Sequence, residues 1–268
     1  MKKKFKLGVI GAGFMATAIV QGVISKGLLD KKDVVVSDVS DVALDKMSNF
    51  GVSVTKNNFD LASESEFVLF AVKPQMIGVV LDEIKGANCD KFISIMAGVK
   101  KAKIKNVFAS AKVARCMPNT PCAIAKGAVG IDFSDFSDES DVDFIKNLFY
   151  PLAETVSVKE DDLNVVTGVS GSSPAYFYLF LQGVIEAGVK RGLTEEQAKK
   201  LAVNTMIGAG YMVLNNPDKS LDELINAVCS KGGTTIEAVK VYKEKGLSDI
   251  TEKAVDACVK RAGELENL

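Results

Sequence analysis

Phe5-Lys6-Leu7-Gly8-Val9-Ile10-Gly11-Ala12-Gly13-Phe14-Met15-Ala16-Thr17-Ala18-Ile19 decides how the rest of this 268-residue chain is read. A short, mostly apolar, strand-like run enters two glycines, and an amphipathic pattern at Met15, Ala18, Ile19, Gly22 and Val23 follows without a break. Gly11, Gly13 and Ala16 fit G-x-G-x-x-G/A. The first glycine permits a tight turn, the second admits a pyrophosphate to the backbone, and a small third residue lets helix pack on strand. The pattern is weak by itself, but a strand before it and a helix after it are the context it requires. The helix N-terminus then faces the phosphates. Lys2, Lys3 and Lys4 with Ala16-Thr17-Ala18 resemble a secretory leader and its cleavage site, yet Gly8, Gly11 and Gly13 suit a strand and turn rather than a leader's helical core. No apolar segment approaches the roughly 20 residues that span a bilayer.

Working outward, residues 34–37, 67–72, 92–95 and 113–117 read as buried strands, each followed by a turn or helix signal. Such alternation predicts βαβ units and an α/β fold with a doubly wound, mostly parallel sheet. Residues 129–133 and 155–158 add two strands, with a helix over 142–152 between them. After about Asp161 the strand pattern stops. Ser173-Pro174 reads as an N-cap with proline at the first helical position. The helix it opens, from Ala175 to about Arg191, is apolar on nearly all sides and must be buried in a bundle or between subunits. Thr194 with Gln197, and Ser220 with Glu223, form capping boxes for two further helices. The first of these carries a stripe at Ala198, Leu201, Ala202, Thr205, Met206, Ala209 and Met212, and residues 236–245 and 249–265 supply two more helices. The expected division is a dinucleotide-binding domain over residues 1–160 and an all-helical dimerisation and substrate domain over 161–268.

Composition narrows the chemistry. With 47% hydrophobic and 25% charged residues the chain fills a core, and a net charge of −1 gives no basic face for nucleic acid or a membrane surface. There is no histidine and no tryptophan. A Ser-His-Asp triad, a Cys-His pair and an imidazole metal site are therefore excluded, and no metal site is expected. The five cysteines are an odd number without C-x-x-C, which reads as reduced thiols in a cytoplasmic protein. Lys100, Lys101, Lys103 and Lys105 read as a solvated face.

Candidate site residues lie at the ends of the strands, where ligands bind in such sheets. Asp38, at the end of the second strand, can accept hydrogen bonds from a free ribose and repel a 2′-phosphate, and it can equally cap the helix starting near Asp41. No lysine or arginine follows until Lys46, which favours NADH. Ala71-Val72-Lys73-Pro74-Gln75, Met96-Ala97-Gly98-Val99 and Met117-Pro118-Asn119-Thr120-Pro121 fall on the same edge. Farther on, Ser230-Lys231-Gly232-Gly233-Thr234-Thr235 precedes a helix, and its successive amides suit either a small anion or a plain helix–helix turn.

These motifs, at residues 10–16, 71–75, 93–99, 115–121, 171–176 and 230–235, resemble in order and spacing the pyrroline-5-carboxylate reductase family over essentially the whole chain. The resemblance implies an N-terminal Rossmann domain and a C-terminal helical domain that interlocks with a partner, in homodimers often assembled into decamers. It implies reduction of Δ1-pyrroline-5-carboxylate to L-proline, the last step of proline biosynthesis, with NADH or NADPH. Gly11, Gly13, Phe14, Met15 and Ala16 would hold the pyrophosphate, and Ser37 and Asp38 would face the adenosine ribose near Asn58. Ala71, Val72, Lys73 and Pro74 would line the cofactor, and Ala97 with Met117, Pro118 and Asn119 would border the nicotinamide. Ser230, Gly232, Gly233 and Thr234 would bind the substrate carboxylate, and Thr235 would reach its ring nitrogen as the catalytic residue, supplied by the partner subunit.

Three positions depart from the family pattern: Ser173 where glycine is usual, Lys231 where proline is usual, and Val39 where NADPH-using members have arginine. Ser173 is a good N-cap, Lys231 adds a cation beside the carboxylate site, and Val39 favours NADH. The alternative enzyme is a related Rossmann reductase acting on another imine or on a keto acid; those acting on hydroxy or keto acids place a lysine in the helical domain, and Lys190 and Lys199 lie in no such motif. A non-catalytic NAD(H) sensor would not need the retained Gly232-Gly233-Thr234-Thr235.

Overall fold

The computed structural model describes residues 3–266, so Lys2 of the N-terminal lysine run lies outside the described residues. Eight strands form one sheet: β1 Phe5–Ile10, β2 Val34–Ser37, β3 Ser53–Thr55, β4 Ser65–Phe70, β5 Lys91–Ser94, β6 Lys112–Pro118, β7 Gly127–Asp132 and β8 Ala153–Ser157. Their order is β3-β2-β1-β4-β5-β6-β7-β8. The first six are parallel in the winding order of dinucleotide-binding sheets. β7 runs antiparallel to β6, and β8 runs parallel to β7. The intervening helices are α1 Phe14–Ser25, α2 Asp41–Asn49, α3 Asn58–Glu64, α4 Ile77–Glu83, α5 Lys101–Lys105 and α6 Glu139–Phe149. The α6 helix starts three residues before its expected position because the Asp138 carboxylate caps it, accepting from Ser140 N at 2.8 Å.

Strict alternation fills two cores. Phe67 and Leu69 of β4, Val34 and Val36 of β2, and Ala114 and Cys116 of β6 point to one face. Val68 and Phe70, Val35, and Val113 point to the other. Both faces are covered, so these strands are apolar on both sides. The expected strands are all present. Ser53-Val54-Thr55 escaped the sequence reading because three residues carry no alternation to detect.

The remaining helices are α7 Leu163–Val166, α8 Ser173–Val189, α9 Glu195–Leu214, α10 Leu221–Val228, α11 Thr234–Glu244 and α12 Leu247–Leu265. Two compact units result: Met1–Ser172 with Ala257–Leu268, and Ser173–Asp256. The first unit continues past β8 because α7 and a wide π-helical turn, Thr167–Gly171, pack on β6 and β7. That turn corrects the N-cap expected at Ser173. The chain arrives already coiled, and Ser173 is the first residue of α8 rather than an extended cap.

In the helical unit both expected capping boxes form, Thr194 with Gln197 and Ser220 with Glu223. Within the single chain α8 is not buried all round: Phe177, Tyr178, Leu179 and Phe180 are exposed, as are Leu201 and Met212 of the α9 stripe.

The expected lysine face is corrected at Lys101. Its side chain is 5% exposed, and Nζ lies 2.7 Å from Asp132 Oδ2 and 3.4 Å from Asp135 Oδ1. The antiparallel turn-back of β7 brings Asp132 opposite Arg115 on β6, and this creates a buried ionic cluster.

All five cysteines are free. Burial pushes the Cys89 thiol up to about 11, and burial also raises Cys116 and Cys122. Because the thiolate is the nucleophile, these three should stay unalkylated by iodoacetamide at pH 8 in the folded protein and label on unfolding, as read by peptide mass spectrometry. Labelling of Cys116 in the native state would show that its core opens.

Candidate active site

The sheet gathers most of the expected residues along the C-terminal ends of its parallel strands. Gly11 N donates to Ser37 O at 2.7 Å, Ala71 N to Ile10 O at 2.9 Å, and Ile95 N to Phe70 O at 3.2 Å. These bonds extend the ladders past the strand ends and set the glycine turn, Asp38, residues 71–74 and the segment after β5 side by side. β6 pairs with β5 up to Ser94 opposite Arg115, so Met117 and Pro118 leave the pairing at the same end of the sheet as Met96 and Ala97.

Gly11 has φ +103°, and a Cβ there would lie 2.7 Å from Ala71 O, so the tight turn needs glycine. A Cβ on Gly13 would meet nothing within 4 Å. Gly13 caps α1 without a side chain and Phe14 is exposed, which leaves the first-turn amides of α1 open to an anion. This cradle fits a dinucleotide pyrophosphate.

Asp38 accepts from Ala12 N at 2.7 Å and from Ser40 N at 2.9 Å. It therefore ties the end of β2 to the glycine turn, while Ser40 caps α2 by accepting from Ala43 N. Ser37 Oγ donates to Asn58 Oδ1, and Asn58 Nδ2 donates to Glu83 Oε2. Lys56 went unread in the sequence. Because β3 pairs with β2, Ser37 opposite Thr55, Lys56 follows beside Asp38, where its Nζ pairs with Asp41 at 2.6 Å. Asn119 is a fastener: Nδ2 donates to Ser170 O at 3.3 Å, and Oδ1 accepts from Ala128 N at 3.0 Å. Lys73 is exposed just before a short turn that begins at Pro74.

Ser230, Gly232, Gly233, Thr234 and Thr235 belong to the helical unit. Gly233 is the N-cap of α11, Gly232 has φ +74°, and Gly233 N donates to Ser230 O at 2.9 Å. Thr234 and Thr235 open the helix with no side-chain cap, so the loop presents amides as an anion site requires. Lys231 and Thr235 are exposed.

A six-strand parallel winding, an open glycine cradle and a carboxylate at the end of β2 define a dinucleotide-binding α/β protein with an appended helical unit. Sequence profiles described as "NADP oxidoreductase coenzyme F420-dependent" and "Pyrroline-5-carboxylate reductase dimerisation" match residues 6–98 and 160–265. A pyrroline-5-carboxylate reductase of Haemophilus influenzae is 35% identical, with 98% of each chain covered. A solved pyrroline-5-carboxylate reductase of Coxiella burnetii superposes with a TM-score of 0.90 at 32% identity, covering 98% of this chain and 99% of that one. A Plasmodium falciparum pyrroline carboxylate reductase with NADP bound gives a TM-score of 0.87 at 27% identity, covering 99% and 100%. The chain belongs to the pyrroline-5-carboxylate reductase family.

Proposed function

We propose that this protein reduces Δ1-pyrroline-5-carboxylate to L-proline with NAD(P)H, the last step of proline biosynthesis. The observation that carries the reading is the presence of two anion cradles in one chain: the open glycine turn before α1, and the Ser230–Gly233 turn before α11. The nicotinamide supplies the hydride. Gly11, Gly13, Phe14, Met15 and Ala16 hold the pyrophosphate, Ser37, Asp38 and Asn58 the adenosine ribose, and Ala71, Val72, Lys73 and Pro74 the dinucleotide edge. Ala97, Met117 and Pro118 border the ring, with Asn119 fixing that loop through its bonds to Ser170 and Ala128. Ser230, Gly232, Gly233 and Thr234 take the substrate carboxylate. The Thr235 hydroxyl orients the imine nitrogen.

The exposed apolar side chains of α8 support a homodimer in which one subunit's Thr235 loop serves the other's cofactor, and a decamer is a further assembly of such dimers. No helix among the described residues is long and apolar enough to cross a membrane, and the five free thiols support a reducing, cytoplasmic compartment. The Asp38 carboxylate and the exposed Val39 support NADH over NADPH. Lys56, whose ammonium is held by Asp41, is the cation that would serve a 2′-phosphate under the opposite preference.

Oxidation of NADH and of NADPH with Δ1-pyrroline-5-carboxylate, followed by nicotinamide absorbance, tests the reading. No turnover with either cofactor sinks it, and the ratio of the two kcat/KM values decides the preference. Thr235→Ala should lower kcat about fivefold to tenfold, the worth of one hydrogen bond, with the cofactor KM unchanged. An unaltered rate removes Thr235 from the chemistry.

A further inference from the structure

The segment after β5 carries Ala97, set beside the nicotinamide in the proposed function, and it is held by two contacts. Gly98 has φ +67°, and a Cβ there would lie 2.7 Å from Leu265 Cβ, 3.2 Å from the Leu265 carbonyl carbon and 3.4 Å from Ala262 O. The last turn of α12 thus lies directly against the Gly98 backbone. At the end of the segment, Glu160 Oε1 accepts from the backbone N of Lys101 at 2.8 Å and pairs with Arg115 Nη1 at 3.1 Å. Arg115 is 3% exposed, and a buried guanidinium needs carboxylates around it. Glu266, directly after α12, supplies the second: Oε1 lies 3.5 Å from Arg115 Nη1, and Oε2 lies 3.1 Å from Lys100 Nζ. Lys100 is the N-cap of α5, the residue where the gripped segment ends.

We infer that Glu266 is a positioning residue for this reaction: by bridging Arg115 and Lys100 it docks the end of α12 and holds the Ala97-Gly98 backbone at the ring site. The inference rests on the placement of Ala97 beside the nicotinamide. Glu266 touches neither substrate nor cofactor. Its effect should fall on the geometry of hydride transfer, leaving the glycine cradle and its hold on the pyrophosphate intact.

Glu266→Gln in the full chain removes the charge and keeps the shape. Amide hydrogen exchange over residues 96–101 should quicken about tenfold, a local opening easier by about 1.4 kcal/mol, while exchange over residues 10–16 stays at the parental rate. In turnover, kcat should fall about tenfold with the cofactor KM within about twofold. Parental exchange and kcat, or a change confined to KM, overturns the inference. If Glu266→Gln fails to fold, Lys100→Met cuts only the exposed arm of the bridge and should quicken exchange over the same residues; unchanged exchange there overturns it equally. If the parent oxidises neither cofactor, the proposed function fails, while the exchange comparison still decides whether Glu266 holds the segment.

Discussion

Lys101→Ala is expected to cost about 3–5 kcal/mol of stability, the penalty for leaving a buried charge without its partner. The Lys101 and Asp132 side chains are 5% and 2% exposed and 2.7 Å apart. Among the described residues Asp132 Oδ2 receives no hydrogen bond of good angle, so the ammonium charge is its compensation. Lys101 also donates to Ser134 Oγ at 3.0 Å and sits 3.4 Å from Asp135. Urea unfolding at pH 7 should show the loss as a lower midpoint at unchanged slope. A Lys101→Met/Asp132→Leu double variant should recover most of it, because an apolar pair of similar volume needs no compensation. A loss under about 1 kcal/mol would mean that water reaches Asp132 in the native state.

The same cluster sets a pH dependence. Burial works to raise the Asp135 carboxyl, but the Lys105 ammonium, the Val113 amide and Lys101 outweigh it and hold the group below the usual carboxylate range. A depressed carboxylate stabilises the fold above its unfolded value, near 3.9, and that contribution is lost as pH falls through the lower folded value. The part of the parent's stability that Asp135 carries should therefore hold from pH 7 to pH 5 and be lost below about pH 4, as read from urea midpoints.

Gly11→Val should be nearly as damaging for a different reason. At φ +103° a β-branched residue is strained by about 1–2 kcal/mol or more, and its Cβ would sit 2.7 Å from Ala71 O and 2.8 Å from Ala71 C, backbone atoms that cannot swing aside. Overpacking adds about 1–3 kcal/mol. Gly13→Ala is the instructive contrast. Its φ is −71° and its Cβ meets no protein atom within 4 Å, so the melting temperature should hold. The added methyl instead occupies the space proposed for the pyrophosphate, and the cofactor KM should rise about tenfold or more. Equal melting losses in the two variants would show that Gly13 is needed by the fold and not by the nucleotide.

Much of this was legible because local signals were strong and mutually consistent. Seven strands, the capping boxes at Thr194 and Ser220, and the glycine turn all announce themselves within a few residues. What escaped depends on partners distant in sequence. Lys101 looks like its solvated neighbours until β7 folds back and delivers Asp132. The clue was present in Arg115, a charge inside the otherwise apolar run Val113-Ala114-Arg115-Cys116-Met117, which demands buried carboxylates. Lys56 escaped because β3 is too short to read, so its place beside Asp38 could not be foreseen. From sequence Asp38 reads as a ribose ligand or a helix cap. Its two backbone bonds add a third role, locking the glycine turn to β2.

The short flanks of the sheet carry a further consequence. β3 and β8 are its outermost strands, with three and five residues, and Lys56, Glu154 and Lys159 stand on or just past them. A long, flat, uncharged edge would template the strand of another molecule, whereas these short, charged edges offer few free backbone groups. The wide apolar sheet is thereby kept from growing into a neighbouring subunit. In the proposed dimer, recognition between copies then falls to the exposed apolar side chains of α8.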